Sequence, residues 1–174
     1  MNEKNEMENY LSALAREKRF REDMRVQQRK EAKQGIHTIV RLKVKMNKEK
    51  GTYEYRLPNR EFIVAEVRIH PDMQMINDHK MLYRIALVLS MRYKLIQNSK
   101  RLKLTDAMLR GDNVVHSIWY WQTGVSEYEF RLMDGTYLTK IVLPTDMNFQ
   151  KDLVVIYEIC KALSERYGAD SSVR

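Results

Sequence analysis

Two histidines, His37 and His116, each stand directly before a hydroxyl residue, Thr38 and Ser117. Histidine can pass protons near neutral pH and a nearby hydroxyl can donate to a substrate oxygen, so these dipeptides are the first place to look for catalysis. Both fall where hydrophobic residues alternate as in a β-strand, and neighbours on a strand point to opposite faces. Each hydroxyl is thereby turned away from its own histidine, and the two read as structural residues at strand starts. His70 and His79 have no spacing to other ligands that suggests a metal, and neither a phosphate-cradling glycine loop nor a serine-nucleophile motif occurs. Cys160 is the single cysteine, which excludes an internal disulfide and any zinc site built on several thiolates; it reads as a small buried apolar side chain. No cofactor and no metal is expected.

Neutralisation of phosphate is the other chemistry these residue types allow. The chain carries a net charge of +8, unevenly spread: residues 1–110 hold 25 Lys and Arg against 14 Asp and Glu, whereas residues 111–174 hold 6 against 9. A cationic face confined to one part of a chain suits a polyanion, because phosphate neutralisation is the main source of nucleic-acid affinity. Arg41, Lys43 and Lys45 alternate with Val40, Leu42 and Val44, so one strand face is core and the other cationic. Arg56 and Arg68 are expected on neighbouring strands, Arg19, Arg21 and Arg25 on a preceding helix, and Lys100, Arg101 and Lys103 on a basic connector. Base stacking would need aromatic rings on the same face. Tyr53 and Tyr55 are near enough to serve, although they share the parity of Leu57 and fit the core better. In the run Ile118-Trp119-Tyr120-Trp121 the repeat described below lays the tryptophans over Val40 and Leu42, leaving Tyr120 as the exposed ring. The eleven methionines are scattered and read as core filling.

The elements that must position these residues follow from periodicity. Residues 4–33 read as a helix, with Met7, Tyr10, Leu11 and Leu14 on one face and mainly basic residues from Arg16 onward; Gly35 ends it. Strands are expected at 37–46, 52–57 and 62–69, then a helix over 77–96 whose buried stripe is Leu82, Ile85, Ala86, Leu89, Tyr93 and Ile96. Residues 97–113 form the connector, with a short helix capped by Thr105 and ended by Gly111. Strands at 114–122, 127–132 and 137–143 follow, the last two joined through Asp134-Gly135, and a helix over 149–167 is capped by Asp146 or Asn148 and closed by Gly168.

The two halves match one another. Tyr53-Glu54-Tyr55-Arg56-Leu57 repeats as Tyr128-Glu129-Phe130-Arg131-Leu132, and Asp78, Tyr83, Ile85, Leu89, Ser90, Arg92 and Tyr93 repeat 74 positions later as Asp152, Tyr157, Ile159, Leu163, Ser164, Arg166 and Tyr167. His37-Thr38-Ile39 is laid over His116-Ser117-Ile118, and every length change falls in a turn. The expected fold is therefore α+β: a charged N-terminal helix (1–36), a basic βββα unit (37–96), the connector (97–113), an acidic βββα unit (114–168) and a disordered tail (169–174), with antiparallel sheets packed as one bilobal domain.

In topology the order resembles PUR repeats and the related Whirly-type single-strand binders, in which a four-stranded sheet and a helix recur in tandem; that resemblance implies nucleic-acid binding. The αβββα order is similar to that of double-stranded-RNA-binding domains, but Asn77-Asp78-His79 and Lys151-Asp152 stand where those carry a basic Gly-Lys-Lys helix start. The paired histidines resemble those of the two-histidine phosphodiesterases, small bilobal enzymes whose Ser or Thr follows two residues after each histidine; here it follows after one. The expectation is a non-catalytic protein that binds DNA or RNA with little sequence specificity. The alternative is a protein-binding inhibitor, adaptor or chaperone acting through the N-terminal helix and the acidic unit, and a homodimer would be compatible with either. No apolar run approaches the roughly 18 residues of a membrane helix and the charged start is unlike a signal peptide, so a cytoplasmic protein is expected.

Overall fold

The computed structural model describes residues 3–33, 35–58, 62–97 and 106–168. The chain divides into two units, Met1–His37 and Thr38–Arg174. The first is dominated by helix α1 (Glu3–Lys33), which begins with Glu3 and Glu6 and ends with Lys30 and Lys33, the polarity that complements a helix dipole. Met7, Tyr10, Leu11 and Leu14, the apolar face expected from the sequence, are all exposed.

The second unit is organised on a sheet. In chain order its strands are β1 (Ile36–Ile39), β2 (Leu42–Asn47), β3 (Thr52–Arg56) and β4 (Ile63–Arg68), then, after two helices, β5 (Val114–Val115), β6 (Ile118–Gly124), β7 (Glu127–Leu132) and β8 (Tyr137–Val142). They form one eight-stranded sheet in the order β1-β2-β3-β4-β8-β7-β6-β5. Its centre is the antiparallel β4–β8 pair, with Ala65 opposite Ile141, Glu66 opposite Lys140 and Val67 opposite Thr139. The sequence left open a continuous sheet or two sheets packed back to back; the strands join in one sheet, through backbone hydrogen bonds that need no special residue type.

Each half also has four strands where three were expected. The strand foreseen over 37–46 is a hairpin, broken at Val40 and Arg41, whose φ angles are 46° and 69°. His116 and Ser117, at 50° and 63°, make the same two-residue turn between β5 and β6. Such turns usually declare themselves by Asn-Gly or Asp-Gly, and neither is present here. The Ser90 hydroxyl donates to the Val40 carbonyl and ties the first hairpin to the helix beneath it.

Helices α2 (Met75–Arg92) and α4 (Phe149–Tyr167) pack on one face of the sheet and against each other; α3 (Asp106–Arg110) is a single turn. Asn148 caps α4 by accepting from the Lys151 amide at 3.2 Å, and Gly168 closes it at φ 65°, a left-handed conformation that suits glycine. Of the α2 stripe, Leu82, Ile85, Ala86 and Leu89 are buried with Met81 and Val88, in one core that also takes in Tyr55, Ile141, Phe130 and Ile118 from the sheet. Fully burying each large apolar side chain contributes roughly 1.5–3 kcal/mol.

Two crossed ion-pair clusters lock α2 to α4. Arg92, near the end of α2, donates to Asp152 at 2.6 Å and to both oxygens of Asp146; Arg166, near the end of α4, donates to Asp78 at 2.6 Å and to Asp72. Asp78 and Asp152 are buried and also lie under Tyr53 and Tyr128: the Tyr53 hydroxyl donates to Asp78 at 2.7 Å. Tyr93 and Tyr167 donate to the carbonyls of Val142 and Arg68 at 2.5 and 2.7 Å. No described helix is long and apolar enough to cross a membrane.

Candidate nucleic-acid interface

The face of the sheet opposite α2 and α4 presents the side chains that alternate with the core. On β2 these are Lys43 and Lys45, on β3 Glu54 and Arg56, on β4 Glu66 and Arg68, on β8 Lys140, on β7 Glu129 and Arg131, and on β6 Trp119 and Trp121. Lys43, Lys45, Arg56 and Arg68 are thus brought to one face, as expected from the sequence. Arg41 is not among them, because it sits in the hidden turn with a backbone that takes it out of the strand alternation. Arg19, Arg21 and Arg25 are exposed on α1, where Arg21 pairs with Glu17 at 2.6 Å. Lys100, Arg101 and Lys103, and the Thr105 cap, lie outside the described residues.

The face is less purely cationic than the spacing of its lysines suggested. Glu54 pairs with Arg56 at 3.0 Å, Glu129 with Arg131 at 2.8 Å, Glu66 with Lys50 at 3.7 Å and Glu127 with Lys140 at 3.8 Å. A middle row of mixed charge therefore runs Lys45, Glu54, Glu66, Lys140, Glu129 across adjacent strands, with the two glutamates Glu54 and Glu66 side by side.

A second row is aromatic. Trp119 lies opposite Arg131, Arg131 opposite Tyr137, and Tyr137 shares the lining of a depression with Arg68, which lies opposite Thr52. The Arg131 guanidinium is 5.5 Å from the Trp121 ring centre and 5.6 Å from that of Tyr137, and it donates to the Gly135 carbonyl at 2.8 Å. Trp119 and Trp121 meet edge to face at 5.4 Å. Cation–π contact and edge-to-face packing hold these rings in place, leaving Trp119 44% exposed. Burial, together with the carboxylates of Glu66 and Glu129, pushes the Tyr137 hydroxyl up to about 12, so it stays protonated and can donate at neutral pH.

All three rings that could have stacked a base, Tyr53, Tyr55 and Tyr120, are in the core. Tyr53 and Tyr55 are buried, Tyr55 donating to the Leu82 carbonyl at 3.0 Å, which is the structural reading their parity favoured. Tyr120 is buried against Tyr157 and Phe130, whereas Trp119 and Trp121 face outward, the reverse of the expected assignment. The inversion has one cause. With the turn at 40–41 recognised, Leu42 corresponds to Ile118 and Val44 to Tyr120, three residues away from the overlay of His37 on His116.

The same correction separates the histidines. His37 lies in β1 and His116 follows β5, and these are the two edge strands of the sheet. Seven strand spacings of about 4.8 Å lie between those edges, so the two imidazoles cannot act on one bond. Among the described residues no three His, Cys, Asp or Glu side chains converge as a metal site. Cys160 is fully buried and burial pushes its thiol up, which leaves it inert. Comparison with protein-family models, curated proteins and solved structures finds no match.

Proposed function

We propose that this protein binds nucleic acid without catalysis, laying it on the open face of the sheet. The observation that carries this reading is the group Trp119, Trp121, Arg131, Tyr137 and Arg68, in which rings held by Arg131 or by each other lie beside cations on the sheet face opposite α2 and α4. Bases stack on aromatic rings largely irrespective of sequence, and lysines and arginines follow the backbone. Lys43, Lys45, Arg56 and Arg68 would take phosphates from the sheet; Arg19, Arg21 and Arg25, exposed on α1, would offer phosphate contacts of that unit's own.

Two-fold matching supports the expectation that the two halves are copies of one unit, here ββββα. Strand order runs outward from β4–β8 in the same sequence on both sides, the Arg–Asp clusters of α2 and α4 correspond, and positive φ recurs at Met73 and Met147 and at Gly51 and Ser126. In this reading one copy kept the cations and the other acquired the tryptophans, so that a single face combines both.

Trp119 and Trp121 are the only tryptophans, so intrinsic fluorescence reports on the proposed surface directly. Titration with single- and double-stranded DNA and RNA at two salt concentrations should quench it in step with binding. Replacing Trp119 by Ala should weaken binding by about 1–3 kcal/mol, the worth of one stacked base. Lack of binding at low salt, or undiminished affinity in a Trp119→Ala/Trp121→Ala variant, refutes the proposal. The exposed apolar face of α1, Met7, Tyr10, Leu11 and Leu14, favours a second reading, a protein partner docking on that helix. Binding that is lost in a Leu11→Ser/Leu14→Ser variant, with no response to nucleic acid, would select it.

A further inference from the structure

The aromatic row does not end at Arg68. Beyond it, between the β2–β3 hairpin and the chain leaving β4, lies a depression of about 840 Å³ lined by Lys48, Lys50 and Arg68 together with Met46, Ile69 and Tyr137. We infer that this depression is a nucleotide subsite, taking a base on its apolar and aromatic lining and a phosphate on its three cations. The inference rests on the nucleic-acid reading above and names where one unit of the bound strand would sit.

Size and composition both fit. Pockets for small ligands run from about 300 to 1,000 Å³ and combine apolar walls with a few placed polar groups. Lys50 is shared with Glu66 at 3.7 Å, while Lys48 and Arg68 make no ion pair with a described residue. Thr52 borders the depression with a buried hydroxyl that has no hydrogen-bond partner among the described residues.

The hairpin that carries the lysines is held in shape. Asn47 accepts from the amides of Glu49 and Lys50, both at 3.1 Å, and its own amide donates to Glu54 at 2.7 Å. Gly51 turns the chain at φ 66° and its carbonyl accepts from Ile69 at 2.8 Å. A preformed site loses less entropy on binding. The cations are not demanded by the fold either. The corresponding hairpin, residues 122–127, contains no Lys or Arg, and Val142 stands where Arg68 does, yet the Ser126 carbonyl accepts from Leu143 as Gly51 does from Ile69.

Position completes the case. From β2 to β6 the face spans five strand spacings, roughly 24 Å. A strand with bases on Trp119, Trp121 and Tyr137 therefore reaches the depression within a few nucleotides, inside the roughly 4–16 that single-strand-binding sheets cover.

The test uses the full chain, ¹⁵N-labelled, titrated with AMP, adenosine and inorganic phosphate while amide shifts are followed. Millimolar AMP should move the signals of Gly51, Thr52 and Ile69, binding about tenfold more tightly than adenosine or phosphate alone, because each of those carries half of the recognised group. A Lys48→Glu/Lys50→Glu variant, altered only at exposed side chains, should lose the AMP response with the rest of its spectrum unchanged. Shifts absent from these amides, or unaffected by the double variant, overturn the subsite. A tryptophan-quenching titration with an oligonucleotide on the same samples separates the two proposals. Quenching without the AMP response leaves the sheet surface standing and removes the subsite; the AMP response without quenching removes the sheet surface and keeps a mononucleotide pocket.

Discussion

Arg92 shows what a buried charge does here. Its guanidinium is almost wholly inaccessible and satisfies Asp152, itself buried, while reaching out to the more exposed Asp146. Burial raises the Asp152 carboxyl and the hydrogen bond from Arg92 opposes that rise, so the pair is a compensated cost rather than a free gain. Arg92→Ala should destabilise the protein by about 3–5 kcal/mol in urea unfolding, since it strands a carboxylate in the core. Pairing it with Asp152→Leu should recover much of that loss; no recovery would mean that the arginine acts chiefly through Asp146. Tyr53→Phe tests the matching cluster and should cost about 1.5–3 kcal/mol, the range for a hydrogen bond to a charged group. At this scale the sequence was partly legible. Parity placed Tyr53 and Tyr55 in the core, and the repeated Asp and Arg were visible as identities 74 apart. Their crossed pairing was not, because it depends on α2 and α4 running side by side. Trp119, Trp121 and Tyr120 were read inside out, since alternation fixes faces only after the register is known, and a one-residue slip exchanges the two faces.

The elements themselves were far more legible than their breaks. Helix periodicity placed α1, α2 and α4 within a few residues, and Asn148 and Gly168 were recognisable caps because their side-chain chemistry is specific. The β1–β2 turn left no such mark: Val40 and Arg41 take positive φ, which most side chains resist. Val40 packs against the core and its carbonyl accepts from Ser90, so tertiary contacts hold a turn that local preference does not favour. Arg41 is exposed, and replacing it by Gly removes the left-handed penalty of about 1–2 kcal/mol while adding backbone entropy of about 0.5–1 kcal/mol. Arg41→Gly should therefore stabilise the protein slightly, read as a higher denaturant midpoint. Because the residue stands off the sheet face, the proposed nucleic-acid binding predicts an affinity within about twofold when it is removed. Lys43→Glu/Lys45→Glu, by contrast, should weaken binding and flatten its salt dependence by about 0.7 in log–log slope for each phosphate no longer neutralised. Equal effects from both variants would place the phosphate path along the edge strand instead.

For the whole molecule, periodicity undercounted the strands of each half by one and could not tell whether the halves share a sheet, because Ala65, Glu66 and Val67 meet Ile141, Lys140 and Thr139 through backbone groups common to all residues. What does carry a signature is how the halves are fastened, and it is titratable. Arg166 holds the Asp72 carboxyl well below the usual range, helped by the Gln74 amide, and Arg92 does the same for Asp146. Each of these carboxyls binds its proton less readily folded than unfolded, where the value is near 3.9. Their contribution is thus fully present above about pH 4 and is lost as pH falls through the folded values; Asp152, raised by burial, acts in the opposite sense and softens the loss. Stability should be nearly level from about pH 5 to 8 and decline steeply below about pH 4. An Asp72→Asn/Asp146→Asn variant should be weaker at neutral pH and lose less on acidification, the two urea curves converging as the wild-type carboxyls become protonated. Since each carboxyl belongs to one half of the sheet and its arginine to the other, parallel curves at every pH would show that the halves are held by the β4–β8 strands and the α2–α4 core alone.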